Sequence, residues 1–73
     1  MLPNKFVILW DNQPVGLDRN SGGYPFKTNH PSQVEYWNSM KEAQTYVDTM
    51  QRGASYRFIH VQIVEIQFRI MSR

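Results

Sequence analysis

The sequence predicts an α+β fold, an antiparallel sheet of three to four strands with one helix packed on one face. Three observations predict it. Short apolar runs bounded by turn chemistry recur at Lys5–Trp10, Val15–Leu17 and Tyr24–Phe26. A single stretch, Ser39–Arg52, repeats its apolar residues at helical spacing. The chain then closes on a long strand-like run, Tyr56–Ile70. Its 73 residues make one small domain, 1–73. A chain of this size buries only about 60% of the surface its unfolded form exposes, so the core is small.

Phe6-Val7-Ile8-Leu9-Trp10 is continuously apolar and short, the pattern of a strand buried on both faces, hence a central one. Asp11-Asn12-Gln13-Pro14 stops it with turn residues. Val15-Gly16-Leu17 is a second strand, hairpinned to the first, with Gly16 as a candidate bulge. Asp18 to Gly23 is the strongest turn signal, because two glycines permit positive φ and Asp18 and Asn20 can bond the nearby backbone. Tyr24-Pro25-Phe26 reads as an edge strand, since Pro25 has no amide donor. Lys27 to Gln33 is a loop, and Val34-Glu35-Tyr36-Trp37 alternates, as a short strand or an extended lead-in does.

In Ser39–Arg52, Ser39 and Glu42 have the spacing of a capping box. Met40, Ala43, Val47 and Met50 form one apolar stripe with Tyr46 at its border. Arg52 suits the negative end of the helix dipole, and Gly53 suits a left-handed cap. The stripe is narrow, which favours packing on a sheet over packing in a bundle.

Composition narrows the chemistry. There is no cysteine, so disulfides, iron–sulfur clusters and thiolate zinc sites are excluded, and an intracellular setting fits. No apolar stretch approaches the roughly 18 residues that span a bilayer. The N-terminal apolar run is too short for a secretory signal. The net charge is +2, and the eight basic residues are scattered without a run, which argues against nucleic acid as the direct partner.

Sites of catalysis or metal binding do not assemble from the motifs. Asp18-x-Asn20-x-Gly22-Gly23 has the glycine of a calcium loop, but Asn29 stands where a bidentate glutamate is needed. His30 and His60 lie on distant segments and are too few for a metal centre. Asp18, Ser21 and His30 crowd one loop region without a nucleophile elbow or oxyanion donors. The expectation is a non-enzymatic protein without cofactor or metal. Tyr24, Phe26, Tyr36 and Trp37 would serve a base-stacking platform in the alternative reading, a small nucleic-acid-binding protein with a basic and aromatic surface. Packing around the sheet is the plainer use for them.

The closing strand carries the functional expectation. Its apolar residues occupy odd positions at Ile59, Val61 and Ile63, then even positions at Val64, Ile66, Phe68 and Ile70. Successive strand side chains point to opposite faces, so the second row leaves the face of the first. Either the strand bulges near Ile63-Val64 and both rows meet one core, or the second row is offered to a partner. In the second case Val64, Ile66, Phe68 and Ile70 bind the partner on an open strand edge. Arg69 and Arg73 then steer an acidic surface towards it. A second copy of the chain is another possible occupant.

Phe6-Val7-Ile8-Leu9-Trp10-Asp11-Asn12-Gln13-Pro14-Val15-Gly16-Leu17-Asp18, followed by Ser21-Gly22-Gly23-Tyr24-Pro25, resembles small phage-encoded proteins. With the helix and the long last strand, the whole chain is similar to the small transcription regulators of lytic Xanthomonas phages. The resemblance implies binding to host RNA polymerase in the cytoplasm of the infected cell, at the largest-subunit region, with σ loosened. It implies inhibition of initiation at σ-dependent promoters and read-through of terminators. It supplies no binding residue by motif, so the six named above rest on the strand pattern.

Overall fold

The computed structural model describes residues 4–53 and 58–67. Four strands, β1 (Asn4–Trp10), β2 (Gln13–Asp18), β3 (Tyr24–Lys27) and β4 (Val61–Gln67), form one antiparallel sheet in the order β3-β2-β1-β4. One helix, α1 (Met40–Gly53), packs against it. This is the expected α+β architecture. The continuously apolar β1 is central, and β3, with Pro25, is an edge.

The β1–β2 turn is tighter than its composition suggests. Only Asp11 and Asn12 form it, at φ 53° and 68°. Two positive φ values belong to the two-residue hairpin turn that matches strand twist, and Asp and Asn tolerate them. Gln13 and Pro14 therefore belong to β2. Pro14 fits because its carbonyl takes the Thr28 amide at 2.9 Å. The return bond of that pair, which a proline lacks, falls where β3 has already ended.

Gly16 is not a bulge. The β2–β3 register runs unbroken from Val15↔Lys27 to Asp18↔Tyr24. A Cβ at Gly16 would strike the Gln33 carbonyl oxygen and lie 2.9 Å from Phe26 Cζ. The glycine is there to let another backbone approach. After Gly16 the chain turns through a short 3₁₀ turn, Arg19–Ser21, with Asp18 accepting the Asn20 amide at 3.1 Å. Gly22 and Gly23, at φ 80° and 84°, complete the reversal.

β1 and β2 pair only near their turn and then diverge. The Glu35–Trp37 stretch fills the wedge. The Glu35 amide donates to the Val15 carbonyl at 2.9 Å, while Trp37 exchanges both main-chain bonds with Phe6.

Ser39 caps α1, its hydroxyl accepting the Glu42 amide at 3.1 Å. Ala43 and Val47 are buried with Ile8, Val15 and Phe58 in one cluster, flanked by Tyr46, Met50, Trp10 and Trp37. Two helix expectations change. Met40 is 47% exposed, so the buried stripe starts one turn later. Gly53 is the last helical residue and does not take the left-handed conformation.

The largest departure lies before β4. His60 has φ +58°, which breaks the alternation between Phe58 and Val61. Phe58 becomes fully buried, with Trp10 edge-on at 5.0 Å, and Ile59 is left 49% exposed. Ile59 is thus not part of the first apolar row.

Candidate partner-binding strand

β4 pairs with β1 over its full length, from Asn4↔Gln67 to Trp10↔Val61, without a skipped residue. There is no bulge between Ile63 and Val64, so the change of apolar phase is carried into space. Val61 and Ile63 lie opposite Trp10 and Ile8 and pack on the core under α1. Val64 and Ile66 lie opposite Val7 and Lys5, on the face that α1 does not cover. Directly opposed residues share a face. Leu9 and Pro14 are opposed as well, so an apolar band crosses three strands there, half-buried at Leu9, Pro14, Val64 and Ile66 and fully buried at Val7, which is 5% exposed.

Val64 and Ile66 are each half-buried, accessible in part to a partner. Phe68, Arg69, Ile70 and Arg73 lie outside the described residues. The Asn4 side chain donates to the Glu65 carboxylate on the helix side, and the Lys5 ammonium donates to Asn38.

The main chain of β4 also alternates. Phe6 gives both its N–H and its C=O to Trp37, so it bonds away from β4. Phe6↔Glu65 is therefore a non-hydrogen-bonded pair of the β1–β4 ladder. By the same alternation Gln62, Val64 and Ile66 bond to β1, and Val61, Ile63 and Glu65 direct their N–H and C=O groups outward. The Asp11 amide bonded to the His60 carbonyl at 3.1 Å confirms the phase. Among the described residues no strand pairs with that outer edge.

The opposite edge of the sheet differs. Val15 gives its carbonyl to Glu35, so Val15↔Lys27 and Leu17↔Pro25 are non-hydrogen-bonded pairs. The outward positions of β3 are then Pro25, with no N–H to offer, and Lys27. Proline and lysine are the usual protection of an edge strand.

Two of the described basic residues are ion-paired locally. Arg19 pairs with Glu35 at 2.8 Å, and Lys27 pairs with Asp11 at 2.8 Å while lying 5.0 Å over the Trp10 ring. The Lys27 bond holds the Asp11 carboxyl below its usual range. Of the four aromatics read as a stacking platform, Trp37 stacks obliquely on Tyr46 at 5.3 Å and Phe26 closes on Gly16; Tyr24 is the exposed one, at 53%. Asp18, Ser21 and His30 make no hydrogen-bonded relay with one another. Among the described residues no three His, Asp or Glu side chains gather as metal ligands, and no helix is long and apolar enough to cross a membrane.

Sequence reasoning found the second apolar row but missed the outward main-chain set, because no residue type marks which way an amide points. It also missed Phe58 as the core aromatic, since a positive φ at a histidine has no sequence signal. Comparison with family models, with curated proteins and with solved structures gives no match in any of the three.

Proposed function

We propose that this chain is a phage-encoded regulator that binds bacterial RNA polymerase through the β4 side of its sheet. Two things support the reading. One is the resemblance of the whole chain to small phage transcription regulators. The other, which carries the structural side, is the unbroken β1–β4 register that turns Val64 and Ile66 away from the helix. At the β4 end of the apolar band Val64 and Ile66 stay partly accessible, and apolar surface of this kind favours a macromolecular partner.

In this reading the protein acts in the cytoplasm of the infected cell, without catalysis and without a cofactor. It contacts the largest-subunit region, loosens σ, lowers initiation at σ-dependent promoters and promotes read-through of terminators. Contacts to the polymerase replace contacts to DNA. Arg19 and Lys27, which a phosphate-binding surface would need free, are paired with carboxylates.

The test is binding to purified polymerase core and holoenzyme, followed by subunit mapping and by run-off and terminator read-through transcription. Expected are a complex with the largest subunit, fewer initiated transcripts and longer ones. Lack of a complex with either form of the enzyme would overturn the proposal. Steep loss of binding to free DNA with salt would favour the nucleic-acid reading instead.

A further inference from the structure

We propose that β4 receives an extended segment of the protein partner as a fifth strand, with alternate side chains of that segment seated in the groove between β4 and α1. The inference rests on the reading that this chain binds a protein partner, and it names how.

Three features specify the occupant. The first is the main chain. Val61, Ile63 and Glu65 point their donors and acceptors outward, and nothing among the described residues satisfies them. Only a backbone in extended conformation meets three such residues in sequence. The second is the contrast between the edges: β3 presents Pro25 and Lys27 at its outward positions, whereas the outward positions of β4 carry no proline and no lysine.

The third is the groove. Side chains of the outward-bonding residues face the helix, so an added strand opposes its own alternate side chains to Val61, Ile63 and Glu65 on that face. Met40, Gln44, Val47 and Gln51 of α1 form the far wall with Val61 and Ile63. Met40 is half-exposed in the monomer and becomes covered. The groove lining carries no charge; Glu65, the next outward residue of β4 beyond Ile63, is exposed, and the neutral Asn4 amide that donates to it leaves its charge unpaired among the described residues. The segment is therefore apolar opposite Val61 and Ile63, and basic opposite Glu65, since opposite charges stabilise a cross-strand pair. On the other face the segment extends the band of Val64 and Ile66.

The test has two arms. In the first, a displayed library of random ten-residue peptides is selected on the wild-type protein, on Glu65→Pro and on Glu65→Lys. Glu65→Pro removes one outward N–H and none that bonds β1. The wild type is expected to enrich peptides alternating apolar residues with one lysine or arginine. Glu65→Lys is expected to exchange that basic residue for an acidic one, and Glu65→Pro to bind at least tenfold more weakly. Amide exchange on the wild type supplies a readout that needs no variant to fold: the Val61, Ile63 and Glu65 amides slow when a peptide binds, against already slow amides at Gln62, Val64 and Ile66. No enrichment, equal binding by Glu65→Pro, or unchanged exchange at the three outward amides overturns the fifth strand. In the second arm, polymerase core replaces the library. Failure to bind there overturns the polymerase reading alone, because the peptide arm decides the edge. Polymerase binding without protection of the three amides overturns the edge and leaves polymerase as the partner.

Discussion

Val64 lies directly across the β1–β4 ladder from Val7, one position along from the Ile63–Ile8 pair that packs under the helix. Two neighbouring apolar pairs thus face opposite sides of one sheet. Four predictions follow from this packing and from the elements around it.

Ile66→Glu tests the half-buried β4 end of the apolar band. The new carboxylate faces Lys5 across the ladder, so the pair remains compatible with the fold. Binding to polymerase is expected to weaken at least tenfold, read by titration. The melting temperature is expected to fall by less than about 8 °C, the shift that about 1 kcal/mol produces in a domain this small. A larger fall with unchanged polymerase affinity would assign Ile66 to the core.

Gly16 and Gly53 should respond oppositely to alanine. At Gly16 the added methyl meets the Gln33 carbonyl and the Phe26 ring, for a loss of about 1–3 kcal/mol. At Gly53 nothing lies within 4 Å and φ is not positive, so alanine in the last helical turn stabilises by about 0.5 kcal/mol. Urea midpoints at constant m distinguish the two.

Phe58→Ala should unfold much of the population at 37 °C. Phe58 is fully buried between Trp10 and Tyr46. Losing such a ring costs about 3–5 kcal/mol, a large share of the stability of a domain this size. A cooperative melt near that of the wild type would contradict the packing.

Tyr46 links stability to pH. Its hydroxyl donates to the Gly23 carbonyl at 2.8 Å, tying α1 to the β2–β3 turn. Burial, with the nearby charge of Glu35 second, pushes its pKa up to about 12. The folded state therefore keeps the proton after the unfolded chain begins to lose it near 10. The contribution is complete below pH 10 and disappears as pH rises towards 12. Tyr46→Phe is expected to lose about 1 kcal/mol at pH 7, and its gap from wild type to close between pH 10 and 12. A constant gap across that window would contradict the assignment.

Local chemistry made much of the fold legible. The run Phe6–Trp10 marked a central strand because only burial on both faces tolerates five apolar residues in succession. Pro25 marked an edge, and Ser39 marked the start of α1. Alternation in Val64 and Ile66 marked a second face. The errors arose where a residue's conformation depends on distant partners. Pro14 reads as a turn but lies in a strand that needs no amide there. Gly16 reads as a bulge but makes room for Gln33.

By itself the sequence determined the element types, their order, the absence of cysteine chemistry and the existence of two apolar rows, because periodicity and side-chain chemistry are local properties. Only the tertiary structure decided that β4 is an edge, that its register with β1 is continuous and that Val61, Ile63 and Glu65 turn their main chain outward. Those depend on which strand lies beside which, and hydrogen-bond direction in a sheet is set by the neighbour, not by the residue.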